Sequence, residues 1–408
     1  MLLRRFACTF AIILAASVPA GADSFDRDCS TGTSEARIPA CTKVLEGNLS
    51  RPTRAVVLYR RGLAFSDEGN DGRAVEDFTA SLALRPRDVA TLTARANAYL
   101  RLSKGDQALA DFGAAIEVDR KAWLPLINRG FALVQLERHA DAIRDFDAAI
   151  ELNARQAEAF KGRGDANRGL DNHIAAIEDY GAAIRVDKTY RNAYYGRARS
   201  FISMRDYTRA MNDLAETVEL DPAFDSAYFS RAFVRWQLGD TDGALDDYTK
   251  AIALGSNFPA ARLERGQLYA ALHRFDEALA DFDEAIREQP DYGAAYLSRA
   301  QAWRALADFD RAVADYTKAM ELARDDAPIL NARAEIYLLA GEVEEALADA
   351  DKAVALRSNV ASFYETRGRI RESRGERDLA IADFRRALGL DKQQKGALAG
   401  LLRLDALP

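Results

Sequence analysis

Apolar residues recur three and four positions apart along most of the chain, in blocks with closely related sequences. The segment ADAIRDFDAAIELN from Ala140 returns in near variants from Ala108, Ala175 and Ala278. This spacing places the apolar side chains on one face of an α-helix, whereas a half-buried strand would alternate with a period of two. The pattern therefore predicts a series of amphipathic helices built from an internal repeat.

The repeat has a period of 34 residues, and ten units follow one another from Ala55 to Gln394 without insertion or deletion. We number the positions within a unit as places 1 to 34. Place 20 is alanine and place 8 is glycine or alanine in every unit, which lets two antiparallel helices approach closely. Place 24 is aromatic except at Leu214 and Ala350, so it is expected to fill the space where three helices meet. The predicted helix-turn-helix units are residues 55–88, 89–122, 123–156, 157–190, 191–224, 225–258, 259–292, 293–326, 327–360 and 361–394.

The period, the small residues and the aromatic place together resemble the tetratricopeptide repeat (TPR) family over Ala55 to Gln394. The resemblance implies an all-α fold, a right-handed superhelical solenoid of ten helix pairs whose first helices line a concave groove. The chain departs from the family pattern in lacking Trp at place 4, in having few prolines near the unit ends, and in having arginine at place 7. The packing places are kept, so we expect the fold to be kept. Half-unit caps are predicted at residues 23–54 and 395–408, because the ends of a stack would otherwise expose apolar faces.

The N-terminus is predicted to be a secretory signal peptide over residues 1–22. Arg4 and Arg5 precede an apolar run that is about half the roughly 20 residues of a membrane span. Small residues follow, with cleavage expected after Ala20 or Ala22. We therefore expect an exported protein without a membrane span, with the periplasm as the expected location and secretion as the alternative.

Two cysteines, Cys29 and Cys41, remain after cleavage and would meet an oxidising compartment. We expect them to form a disulfide that ties the N-terminal cap. A redox pair and half of a metal site are the alternatives, although neither a C-x-x-C spacing nor nearby histidines accompany the cysteines. A cysteine-containing leader of this kind is similar to that of exported bacterial TPR proteins.

Charge and residue chemistry favour a binding protein over an enzyme. The net charge is −7, and −9 once the leader is removed, with no basic block, which argues against nucleic-acid binding. His139, His173 and His273 are expected to be exposed turn residues outside any ligand or nucleophile motif, so we expect no catalytic site, metal or cofactor. The segment GRGDANRG from Gly162 contains an adhesion triplet and is rich in glycine, but it occupies regular places of a helical unit. Its glycines predict that the fourth unit is the least stable.

Place 7 is arginine and place 23 is aspartate in all ten units. A ligand track would demand the same contact in every unit, so we interpret the ladder as a repeated structural ion pair. The chain ends indicate the pairing, because Leu401 stands at place 7 after the last unit and Lys43 stands at place 23 before the first. Pairing within a unit leaves no residue without a partner. The predicted pairs include Arg61 with Asp77, Arg231 with Asp247, and Arg367 with Asp383.

The places that face the groove in this family carry aromatic and basic residues in the middle units. Such residues are frequent in interaction hot spots, although a narrow groove can also pack its own aromatics. The family's clamp for a peptide carboxylate is not reproduced, because Glu158 and Gly162 stand where basic or polar groups would be needed. The candidate partner-binding residues are Lys161, Arg168, Tyr195, Arg199, Phe229, Phe233 and Trp236.

We therefore predict an exported, non-catalytic scaffold that binds a protein or an extended peptide in its groove. A glycan-binding or envelope-polymer assembly factor is the first alternative, because aromatic and arginine side chains also suit sugars. An architectural subunit of an envelope complex is the second.

Overall fold

The structure is a computed structural model that describes residues 24–255, 258–323 and 326–406. These residues form 23 α-helices and no strand. The predicted fold class, all-α with consecutive helix pairs, is confirmed, while the expected signal peptide lies outside the described residues. The helices are α1 (Ser24–Thr31), α2 (Ser34–Glu46), α3 (Arg51–Asp67), α4 (Asp71–Leu84), α5 (Val89–Arg101), α6 (Gly105–Val118), α7 (Trp123–Gln135), α8 (His139–Leu152), α9 (Ala157–Gly169), α10 (His173–Val186), α11 (Arg191–Ser203), α12 (Tyr207–Leu220), α13 (Asp225–Gln237), α14 (Thr241–Leu254), α15 (Pro259–Ala271), α16 (Phe275–Glu288), α17 (Gly293–Ala305), α18 (Phe309–Leu322), α19 (Ala327–Ala340), α20 (Val343–Leu356), α21 (Ala361–Ser373), α22 (Arg377–Leu390) and α23 (Lys395–Arg403).

The chain divides into two compact parts, an N-terminal half that ends at Met204 and a C-terminal half that begins at Arg205. The N-terminal half contains α1 to α11, and the C-terminal half contains α12 to α23. In each unit whose two helices lie in the same half, the second helix packs most closely on the first and next on the first helix of the following unit.

Small residues at place 8 are required by the aromatic ring at place 24 of the same unit. In the seventh unit, a Cβ added to Gly266 would lie 2.6 Å from the ring of Phe282, which is fully buried. A Cβ added to Gly62 would likewise lie 2.7 Å from the ring of Phe78. The alanine at place 20 is also fully buried, as at Ala278. Close packing of the two helices therefore depends on these small side chains.

Each turn between the two helices of a unit needs a left-handed residue at place 15. In the first unit, Gly69 has φ 75°, and the N–H of Asn70 donates to the carbonyl of Phe65 at 2.8 Å, which caps α3. Four units have glycine at this place, whereas the other six have residues with a side chain. Those six are Ser103, Glu137, Asp171, Arg205, His273 and Ala307, with φ between 57° and 59°.

The two ends of the repeat differ from its body. The N-terminal segment, predicted as a half unit, contains two helices. The sequence did not indicate α1, because its eight residues are too few to show a period. Cys29 in α1 and Cys41 in α2 are fully buried and are joined by an S–S bond of 2.01 Å. At the other end, α23 buries Leu401 in a cluster with Phe384. Apolar surface of the last pair is thereby covered.

The helices in the part of the chain that the structure describes can be compared with the length and composition of a membrane span. None of the helices there combines the length and apolar composition that crossing a bilayer requires.

Candidate functional site

The arginine and aspartate ladder consists of ion pairs within a unit. Of the nine pairs described below, all are bidentate except that of Arg163, which donates twice to one Asp179 oxygen. In nine units, the arginine at place 7 donates from Nε and Nη2 to the aspartate at place 23. The bonds from Arg231 to Asp247 measure 2.8 and 2.7 Å, and the two side chains are 15% and 5% exposed. These bonds raise the pKa of Arg231 above its ordinary value. In the fifth unit, Arg197 and Asp213 lie in different halves of the chain.

Six of these arginines also donate to place 25 of the preceding unit, which sequence reasoning missed. Arg265 Nη1 donates to Thr249 Oγ1 at 2.8 Å, and Arg333 Nη1 donates to Thr317 Oγ1 at 2.7 Å. Both acceptors occupy place 25 of the unit before. The signal was present, because place 25 is threonine or aspartate in six of the ten units. The ladder thus links consecutive units as well as the two helices of one unit.

Two basic residues of the predicted patch, Lys161 and Arg168, belong to a polar network in α9 and α10. Lys161 Nζ lies 2.6 Å from an Asp165 carboxylate oxygen and 5.5 Å from the ring centroid of Phe131. The Tyr180 hydroxyl donates to Asp165 at 2.7 Å, and Arg168 Nε donates to the same hydroxyl at 3.4 Å. Burial and the Asp165 charge raise the pKa of Tyr180. The charge of Lys161 is therefore balanced inside the protein.

Tyr195 and Arg199 form a separate contact on α11. The guanidinium carbon of Arg199 lies 5.9 Å from the centroid of the Tyr195 ring. Arg199 is exposed and Tyr195 is half-buried. Of the four predicted residues in the N-terminal half, Arg199 is the one most open to solvent.

The predicted aromatic residues of the C-terminal half pack against their own neighbours. Phe229 and Trp236 both contact the cluster around the fully buried Tyr248, and the Phe229 ring centroid lies 5.8 Å from that of Tyr248. Phe233 instead contacts Tyr207, with 6.2 Å between centroids. All three predicted residues are half-buried. Each of these rings therefore contacts other side chains of the protein and remains partly exposed.

A carboxyl group without a partner lies near this aromatic cluster. Glu264, at place 6 of the seventh unit, is half-buried and forms no hydrogen bond or ion pair with the residues that the structure describes. Its burial raises its pKa. The pKa of Tyr248 is raised mainly by burial and also by the charge of Glu264. The Tyr248 hydroxyl has no hydrogen-bond partner among the described residues. Sequence reasoning missed Glu264, because place 6 has no recurrent residue type.

A cavity of about 400 Å³ opens between α15, α16 and α17 in the C-terminal half. Gln267 and Gln301, both at place 9, line it, and Gln267 Nε2 donates to Ser298 Oγ at 3.0 Å. The cavity exists because the seventh unit has alanine at both place 12 and place 13, where most other units have larger side chains. The other lining residues are Ala270, Ala271, Phe275, Phe282 and Ala302.

The structure corrects the expectation that all three histidines are exposed turn residues. His139 and His173 are half-buried and begin α8 and α10, and His273 alone of the three is the expected exposed turn residue. The His139 ring occupies space that Gly169 leaves open, since an added Cβ there would lie 2.5 Å from the ring. Among the described residues, no group of His, Cys, Asp and Glu is arranged to hold a metal ion.

Comparisons with known proteins identify the repeat. Two family models, both described as tetratricopeptide repeat, match residues 127–192, 195–261 and 263–327, and residues 361–394. A solved tetratricopeptide repeat protein from Parabacteroides merdae is 20% identical with a TM-score of 0.49, covering 58% of this chain and 93% of that chain. YrrB, a TPR protein described as having an unusual peptide-binding site, is 21% identical with a TM-score of 0.40, covering 46% and 97%. Yeast Tom70 is 18% identical with a TM-score of 0.45, covering 94% and 93%.

A search of the curated proteins finds no match to this chain. The family models nevertheless cover more than half of it, over the same consecutive helix pairs that the structure shows. The chain belongs to the tetratricopeptide repeat family.

Proposed function

We propose that this protein is an exported, non-catalytic scaffold that binds an extended peptide segment of another protein along its first helices. The TPR fold is that of a protein-interaction scaffold. The observation that carries the peptide proposal is the cavity between α15, α16 and α17, whose volume of about 400 Å³ falls within the range of ligand sites.

The lining of this cavity suits a peptide. Gln267, Gln301 and Ser298 offer neutral donors and acceptors, and an extended peptide backbone presents the complementary groups. Ala270 and Ala271 keep the cavity open to an incoming side chain. No charged residue lines it, so a neutral side chain is the expected occupant.

A peptide fits the site better than a glycan does. Sugars bind aromatic residues through an open ring face. Phe229, Phe233 and Trp236 are half-buried against their own neighbours, which restricts such stacking. Export is supported by the sequence of residues 1–22 and by the Cys29–Cys41 disulfide, which suits an oxidising compartment.

Blocking the cavity tests the proposal. Ala270→Trp places a large side chain in the cavity. The sixth unit has a tryptophan, Trp236, at the same place of its own sequence. Wild-type protein is expected to enrich peptides from a displayed random 12-residue library, and the Ala270→Trp protein is expected to lose them. The matched control is Ala305→Leu, an exposed site at the end of α17, which should retain them.

Two results would contradict the proposal. One is the absence of any peptide enriched by the wild-type protein over bare support, and the other is an identical set selected by Ala270→Trp. Retention of envelope polysaccharide, without peptide enrichment, would favour the glycan alternative. Cell fractionation tests export, and recovery of the protein with its leader intact in the cytoplasm would exclude it.

A further inference from the structure

Glu264 and the cavity share one face of α15. Glu264 precedes Gln267 by three residues, so the two side chains are neighbours on the helix surface. Gln267 lines the cavity, whereas Glu264 lies toward the aromatic cluster of the sixth unit, where its charge acts on Tyr248. A ligand that enters the cavity along the first helices would therefore pass Glu264.

No cation among the residues that the structure describes is paired with Glu264. Arg262, two residues before Glu264 on α15, is already paired with Glu288 at 2.9 Å. Burial raises the pKa of Glu264, and no cation contributes to that shift. A half-buried carboxylate costs free energy unless it is paired, so the site is favourable for an incoming positive charge.

The surroundings of Glu264 add groups that stabilise cations. Tyr248 is fully buried, and its hydroxyl has no partner within the described ranges. Tyr292 is a second aromatic neighbour, whose pKa is raised by burial and then by the Glu264 charge. Tyr248 is fully buried and presents no ring face, so of these two tyrosines the half-buried Tyr292 is the one whose ring can contact an incoming ammonium or guanidinium group. A bound water would satisfy the Tyr248 hydroxyl but would leave the charge of Glu264 unbalanced.

We propose that Glu264 receives a basic side chain, lysine or arginine, from the bound peptide while a neutral residue of the same peptide occupies the adjoining cavity. The inference rests on the proposed function, because it names the chemistry of the partner at that site. The net charge of −7 favours encounter with a basic segment. In contrast, Lys161 of the patch expected from the sequence is already paired with Asp165.

Peptide selection on the full chain tests the proposal. A displayed random 12-residue library is selected against the wild-type protein, against Glu264→Gln, and against Glu277→Gln as the control. Glu277 is 46% exposed and pairs with Arg274 outside the site. The wild-type and Glu277→Gln proteins are expected to enrich peptides with Lys or Arg at a constant spacing from an apolar residue. Glu264→Gln is expected to keep the apolar preference and to lose the basic one.

A double-mutant cycle on one selected peptide measures the contact directly. Changing its conserved lysine to methionine should weaken binding to the wild-type protein by about tenfold, as for a partly buried charge pair. The same change should alter binding to Glu264→Gln less than about twofold. Circular dichroism of Glu264→Gln should match the wild type, because glutamine conserves the side-chain volume.

The outcomes separate this inference from the proposed function. Selected peptides without a preference for basic residues, or an unchanged basic preference in Glu264→Gln, would overturn the role of Glu264 while leaving peptide binding intact. Failure of the wild-type protein to enrich any peptide would overturn both.

Discussion

Replacing Asp281 by asparagine would test whether the arginine and aspartate ladder stabilises the fold. In the seventh unit, Arg265 donates to the two Asp281 oxygens at 2.8 and 2.6 Å, and to Thr249 at 2.8 Å. The side chains of Arg265 and Asp281 are 16% and 6% exposed, so water can replace few of these contacts. The sixth unit is less suitable, because Asp247 there also contacts Arg235 at 3.2 Å.

The expected loss follows from the geometry of the pair. Asparagine keeps one acceptor oxygen but turns an NH₂ group toward the guanidinium, and it leaves the charge of Arg265 without a counterion. Removing one partner of a buried pair costs about 3 to 5 kcal/mol. Since the bond to Thr249 remains, we expect about 3 kcal/mol. The double change Arg265→Leu with Asp281→Leu removes both charges and is expected to cost less than about 1 kcal/mol.

Hydrogen exchange of the α15 and α16 amides is the appropriate assay, because a repeat array need not unfold in one step. A loss of about 3 kcal/mol corresponds to exchange roughly a hundredfold faster. The control is Asp276→Asn, an exposed residue in the first turn of α16, which should change the local free energy by less than about 1 kcal/mol. Equal acceleration by the single and the double substitution, or no difference between Asp281→Asn and Asp276→Asn, would refute the role of pairing.

Three further predictions concern local conformation and burial. Ala307 has φ 57°, so Ala307→Gly should raise the local free energy of unfolding by about 1 kcal/mol. Hydrogen exchange of the amides in that turn should therefore be slower in the variant than in the wild type. Gly162→Ala should lower the urea midpoint despite the helix propensity of alanine, because the new Cβ would lie 2.3 Å from the Phe146 ring. Gly389→Ala, with nothing within 4 Å, should raise stability by about 0.5 kcal/mol, and equal effects at both sites would be inconsistent with this packing. Burial raises the pKa of Tyr59 to about 12, so the unfolded chain loses this proton first and the free energy of unfolding should fall between about pH 10 and 12. Urea denaturation of Tyr59→Phe should lack that part of the decrease.

Much of the fold could be predicted from the sequence, because its determinants are local and repeated ten times. The spacing of apolar residues indicates helices, and the small residues at places 8 and 20 indicate which helices pack as a pair. The sequence also predicts that each arginine pairs within its own unit, because Leu401 and Lys43 mark where the ladder ends, and nine units have the bonds that this requires. The structure has the arginines bonded within their own units, as at Arg231 and Asp247.

The candidate site was decided by tertiary contacts instead. Glu264 is chemically ordinary in the sequence, and its lack of a partner among the described residues depends on which side chains the folded helices bring close to it. The cavity likewise requires Gln267 of the seventh unit and Gln301 of the eighth to line one space. A period of 34 residues determines which helices are neighbours, but the charge and space around one side chain depend on all the residues packed against it, most of them distant in sequence.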